Sequence, residues 1–159
     1  MDAPRGIVTG GNLLSICKLV RIHAKAWLLI VILIYILGFL GATYNHVMDL
    51  VHGGLFPYQK MTPNVPSWLN IYWTLLTILD PLSILLLVCT IDIGLLMYLI
   101  VITSDVIINY WYVIGQSGIL GIFNYGQLCQ FCFMIFVLFT YIPIKREIVL
   151  LKNRESHKE

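Results

Sequence analysis

Two aspartates, Asp80 and Asp105, interrupt stretches that are otherwise apolar enough to be membrane spans. A carboxylate near the middle of a bilayer costs about 2.5 to 3.5 kcal/mol on insertion scales, so it is usually turned inward, paired, protonated or used. Around them run two polar stripes. Asn70, Thr74, Thr77 and Asp80 share one side of a helix at about 100° per residue, and Tyr98, Asp105, Asn109 and Tyr112 share one side of the next. Stripes in adjacent helices are best satisfied by facing each other, because lipid tails cannot hydrogen-bond. One outcome is a hydrated or ligand-filled cleft in which either acid exchanges a proton or meets a cationic ligand. The other is a closed seam in which the acids bond hydroxyl groups and fix helix register.

Two further groups have chemistry-bearing spacing. His46, Asp49 and His52 form H-x2-D-x2-H, and imidazole with carboxylate suits zinc or a similar ion. On a helix the two histidines lie about 120° apart, which favours loop or hydrogen-bonding roles over a metal site. Cys129 and Cys132 form C-x-x-C near the start of the fourth apolar run, where a dithiol could face an oxidising compartment. That placement resembles four-helix quinone and vitamin K redox enzymes. The chain has no cysteine in either outer loop to relay electrons, so small apolar packing residues are the simpler reading.

These residues need a membrane scaffold to position them. Of 159 residues, 59% are hydrophobic and 11% charged, and the mean hydropathy is +0.87, well beyond what a water-soluble domain needs for its core. Four runs approach or exceed the roughly 20 residues that cross a hydrocarbon core. They are placed at 27–44, 67–87, 93–113 and 125–144, which predicts an all-α membrane protein built as a single four-helix bundle with up-down-up-down connectivity. The first run follows basic residues but is longer than a signal-peptide core, so it reads as an uncleaved helix. The basic stretch before it, Leu13 to Lys25, is either an interfacial amphipathic helix or an extension of helix one.

Charge decides the expected orientation. Arg5, Lys18, Arg21 and Lys25 precede the first span, Lys145, Arg146, Lys152, Arg154 and Lys158 follow the last, and only Lys60 lies between spans. Basic residues in short flanks stay cytoplasmic, so both termini (1–26 and 145–159) are expected inside and the loop 45–66 outside. A bacterial inner (plasma) membrane is the expected location. The basic termini are anionic-lipid contacts and topology determinants, which removes any need for a nucleic-acid partner. Expected partners are the bilayer, a small ligand or proton, and a membrane-protein partner if the chain is an assembly subunit.

Depth separates the two acids. At about 1.5 Å per residue, Asp80 lies roughly 20 Å from the outer boundary and Asp105 roughly 10 Å, which makes them two rungs of one face. Pro81, lacking an amide proton, leaves the Thr77 carbonyl without its helical partner beside Asp80. The outer loop is expected to hold a short helix or re-entrant piece over Val47 to Val51 and then an ordered, turn-rich lid. Trp68, Tyr72, Trp73, Tyr110, Trp111, Tyr112 and Tyr125 all fall near the proposed outer boundary, as an aromatic belt requires.

An outer loop with acids, the Pro66-Ser67-Trp68-Leu69 entry into helix two, and the Asp80-Pro81 pair within it together resemble the EXPERA family of sterol isomerases and sigma-2-type receptors. The resemblance covers about half of the chain. It implies a four-helix fold with acidic residues in a cavity entered from the lipid, with Asp49 in a place comparable to the family's acid after helix one. The sequence expectation is therefore an outward-facing cleft lined by Asp80 and Asp105 with Asp49, Asn70, Thr74, Thr77, Tyr98 and Asn109 around it. Its function is to bind or move a small ligand, ion or proton. The alternatives are an enzyme on a sterol, lipid or quinone, or a structural subunit of a larger complex.

Overall fold

The computed structural model describes residues 11–54, 57–58 and 65–156; Arg5, Lys60 and Lys158 lie outside the described residues. Four long helices carry almost all of it: α1 (Gly11–Gly53), α2 (Ser67–Cys89), α3 (Ile91–Ser117) and α4 (Tyr125–Ser156), with a 3₁₀ segment, Ile119–Phe123, before α4. Each contains a stretch long and apolar enough to cross a membrane, namely Ala26–Gly53, Ser67–Cys89, Ile91–Ser117 and Tyr125–Leu151. The helices overrun the apolar windows, most of all at the start of α1 and the end of α4, and Pro143 at the edge of the fourth window does not end α4. Leu13 to Lys25 accordingly belongs to α1.

The largest difference from expectation lies at the end of α1. A separate short helix or re-entrant piece over Val47 to Val51 is predicted, whereas α1 continues unbroken through His46, Asp49 and His52. Asn45 and His46 are poor helix formers but neither breaks the hydrogen-bond ladder, and the first residue that does so is Gly54. Its φ of 76° and its N–H bond to the Leu50 carbonyl at 2.8 Å form a left-handed helix stop.

Between α2 and α3 the chain turns on a single residue, Thr90. The Thr90 N–H and side-chain hydroxyl both donate to the Leu86 carbonyl, and Gly94 N–H donates to the Thr90 carbonyl, so the exposed ends close on each other. So tight a turn presses the first turn of α3 onto the last of α2. A Cβ on Gly94 would fall 2.2 Å from both the N and the Cα of Leu87. Backbone cannot swing aside as a side chain can. Gly94→Ala should therefore lose about 2–3 kcal/mol of stability, read as an earlier unfolding midpoint in a detergent denaturation titration.

Asn124 starts α4 as its N-cap, its Oδ1 accepting the Gln127 N–H at 2.9 Å. Pro81 and Pro143 sit inside α2 and α4. The core joins Tyr35 and Phe39 of α1 to Leu69 and Leu76 of α2, Leu95, Tyr98 and Val101 of α3, and Val137 and Ile144 of α4. Many other large apolar side chains on all four helices, such as Leu29, Ile78, Ile107 and Phe139, point outward. In a bilayer that is the solvated face, since lipid is as apolar as leucine.

Candidate functional site

Asp105 is held from two helices. Its Oδ1 accepts from Asn109 Nδ2 at 3.0 Å, and its Oδ2 accepts from Gln130 Nε2 of α4 at 3.1 Å. The first is an i, i+4 pair, which puts the two side chains over each other on one helix face. Asn109 then reaches further: Nδ2 also donates to Gln130 Oε1 at 3.1 Å, and Oδ1 accepts the Trp73 indole N–H of α2 at 2.7 Å. One asparagine thereby ties α2, α3 and α4 together, and the Asp105 carboxylate is satisfied at both oxygens.

Asp80 is in the opposite condition. It is 3% exposed, yet its Oδ2 has no hydrogen-bond partner among the described residues. The nearest complementary group is His46 Nε2 of α1, at 3.8 Å. A buried carboxylate oxygen without a hydrogen-bond partner is expensive and calls for a water, an ion, a ligand or a catalytic role to account for it.

Both acids line the same cavity, of about 540 Å³. Its wall on α1 is Gly38, Phe39, Gly41, Ala42 and Asn45, that on α3 is Val101 and Ile102, and that on α4 is Tyr125, Gly126, Cys129, Gln130 and Phe133. The space exists because α1 and α4 touch only along part of their length. They are joined where Tyr35 O–H meets Thr140 Oγ1 at 2.8 Å and the Val137 carbonyl at 3.2 Å, and where Gly38 lies under the Phe133 ring. Beyond Gly38 they diverge, and Gly41, Tyr125, Gly126 and Cys129 at the rim are exposed. The volume falls within the range of small-molecule pockets, and the mixture of an apolar wall with a few convergent polar groups is typical of them.

The predicted site residues divide three ways. Asp80 and Asp105 come together on the cavity, which spacing alone separated into two rungs, while Asn109 stands behind Asp105. Asp49 and Asn70 form a second cluster around Tyr58: the Tyr58 hydroxyl donates to Asp49 Oδ2 at 2.8 Å, and the Tyr58 N–H donates to Asn70 Oδ1 at 3.1 Å. Tyr98, Thr74 and Thr77 do not line the cavity. Tyr98 turns to α1, with the Phe39 ring tilted against it at a centroid distance of 3.8 Å and the Tyr35 ring stacked at 5.2 Å, and donates its hydroxyl to the Tyr35 carbonyl at 3.3 Å. The Thr74 and Thr77 hydroxyls are buried without a partner among the described residues. The polar stripe of α2 is thus not matched rung by rung to that of α3.

His46, Asp49 and His52 do not converge. His46 Nδ1 lies 3.1 Å from the Tyr58 hydroxyl, but exposed His52 bonds its own helix at the Met48 carbonyl. Among the described residues no three histidine, cysteine or acidic side chains are grouped to hold a metal. Cys129 and Cys132 are free and exposed, with Cys129 on the cavity rim.

Gln130, Tyr58, Trp73 and the cavity face of α1 do not emerge from the sequence as site residues. Gln130 had one available signal, an amide inside an apolar helix, which it shares with Gln127. Tyr58 had none, because its role depends on its bonds to His46 and Asp49 of α1 and Asn70 of α2. Outside the spans, burial and the neighbouring Asp49 carboxylate push the Tyr58 phenol well above its ordinary pKa, so it is held protonated. No protein-family model, curated protein or solved structure matches this chain.

Proposed function

We propose that this chain is a membrane receptor or carrier for a small amphiphile, which enters the cavity sideways between α1 and α4 and places a polar, preferably cationic, head beside Asp80. The observation that carries the reading is the buried Asp80 Oδ2, without a hydrogen-bond partner among the described residues, on a cavity of about 540 Å³ whose rim is open between two helices. A protonated amine would complete that oxygen and also meet His46 Nε2, while the apolar tail lies along Phe39, Val101, Ile102 and Phe133. Asp105, already satisfied by Asn109 and Gln130, supplies negative potential without needing to change partners. The likeness to EXPERA proteins, with acids in a cavity reached from lipid, supports the same reading. With both basic termini cytoplasmic and the helices alternating in direction, the cavity rim faces the outer side of the membrane and Asp80 lies at its deeper end.

A second reading is favoured by His46 beside Asp80: a base and an acid at 3.8 Å could perform acid–base chemistry on an unsaturated sterol-like lipid in the same cavity. Its check is the appearance of a double-bond isomer by mass spectrometry after incubation with the purified chain.

The binding test uses a long-chain tertiary amine bearing a diazirine, with diazirine cholesterol as the uncharged comparison. On irradiation in lipid nanodiscs the amine should attach within Gly38–Asn45 and Tyr125–Phe133. Asp80→Asn should weaken amine binding by about 30-fold or more, the consequence of removing one partner of a buried charge pair. Equal labelling of wild type and Asp80→Asn, or labelling spread evenly over the lipid-facing surfaces, would overturn the reading.

A further inference from the structure

Four side chains connect the cavity acid to the end of the bundle that carries the α1–α2 connection. His46 and Asp49 are one turn apart on α1 and both half-buried. Tyr58 reaches between them, donating its hydroxyl proton to Asp49 Oδ2 at 2.8 Å and lying 3.1 Å from His46 Nδ1. A phenol has one proton, so once it is given to Asp49 the Tyr58 oxygen can only accept. Nδ1 of His46 must then carry the hydrogen. Nε2 is thereby left to face Asp80 Oδ2 across 3.8 Å. Side-chain movement of about 0.7 Å closes that gap to a hydrogen bond.

We propose that Asp49, Tyr58, His46 and Asp80 form a proton relay between solvent at the α1–α2 end and the cavity, with Tyr58 as the positioning residue that sets the His46 tautomer. When the Asp80 carboxyl gives up its proton, an Nε2–H bond forms on His46 and the Nδ1–H bond breaks. The released proton joins the Tyr58 oxygen as the Tyr58 hydroxyl proton passes to Asp49. One proton has moved from Asp80, left as a carboxylate, to Asp49, left as an acid. The reverse sequence delivers a proton to the cavity. The relay deepens the proposed function and rests on it in one respect, since its inner end is the acid that would meet the ligand.

The tautomer is directly observable in the ligand-free protein. With ring-¹⁵N histidine in nanodiscs, His46→Gln removes and so assigns the His46 signals among the four histidines. In the wild type Nδ1 should be protonated. Tyr58→Phe, which keeps the ring against Trp73 at 4.7 Å, should release Nδ1 and move the proton to Nε2. A wild-type His46 protonated at Nε2 alone, or a spectrum unchanged by Tyr58→Phe, would overturn the assignment.

Proton movement is read by infrared spectroscopy in acidified buffer, from the deuterium exchange of the carboxyl band that Asp80→Asn removes. Tyr58→Phe should slow that exchange about tenfold or more, and equal rates would overturn the relay. Asp49→Asn keeps an acceptor for the Tyr58 hydroxyl, so it should preserve the tautomer while slowing the exchange. Neither measurement uses a ligand. Failure of the relay leaves the amine labelling result standing, and failure of the amine labelling leaves the relay testable by itself.

Discussion

Asn109→Leu should destabilise the bundle by about 3 kcal/mol, near 1 kcal/mol for each of the three hydrogen bonds it makes. The leucine fills a similar volume, so the loss comes from the partners left behind. Trp73 Nε1 loses the acceptor at 2.7 Å, Asp105 Oδ1 its donor at 3.0 Å, and Gln130 Oε1 its donor at 3.1 Å. Trp73 and Asp105 are buried and Gln130 is half-buried, so the orphaned groups have little water to turn to. The check is a double-mutant cycle in a detergent unfolding titration. Trp73→Phe removes the orphaned indole donor, so the pair Trp73→Phe with Asn109→Leu should lose less than the two single changes summed. Strict additivity would mean that the Trp73–Asn109 bond contributes little and that the network does not tie α2 to α3.

Gly41→Phe should abolish ligand binding while leaving the fold intact, a loss of about 100-fold for the amine probe. Gly41 lines the cavity where α1 and α4 diverge, and a Cβ there meets nothing within 4 Å. The added ring therefore occupies space that the ligand would use without displacing a neighbour. Replacing glycine within a helix also favours the folded state by roughly 0.5–1 kcal/mol. The variant should thus unfold no earlier than the wild type and yet fail to take the photoreactive amine. Gly38 gives the contrast. Its Cβ would come 2.6 Å from the Phe133 ring, so a side chain there disturbs the α1–α4 contact itself. Retained labelling in Gly41→Phe would place the bound amine elsewhere.

These two positions differ in how visible they were. Asn109 stands out in an apolar helix by its polarity alone, four residues after Asp105, and its i, i+4 bond to that acid follows from helix geometry. Gly41 carries no comparable mark. Its importance arises only because α4 leans away from α1 beyond Phe133, and no property of residue 41 encodes the tilt of a helix that begins more than eighty residues later. The difference between the acids is of the same kind. By sequence both are intramembrane carboxylates on one face, whereas in the fold one is satisfied at both oxygens and the other has an oxygen with no hydrogen-bond partner among the described residues.

The sequence by itself determined four long apolar helices, because a backbone surrounded by lipid has no other way to satisfy its amides and carbonyls along about 20 residues. It also determined which side chains would be costly there, and so named Asp80, Asp105 and Asn109. Only the tertiary structure decided what those side chains meet. Gln130 lies 25 positions from Asp105, and His46 lies 34 before Asp80. Such pairs depend on the rotation and tilt of whole helices. Those are set by the packing of Tyr35, Gly38 and Phe133 and by the one-residue turn at Thr90, and no local periodicity carries that information.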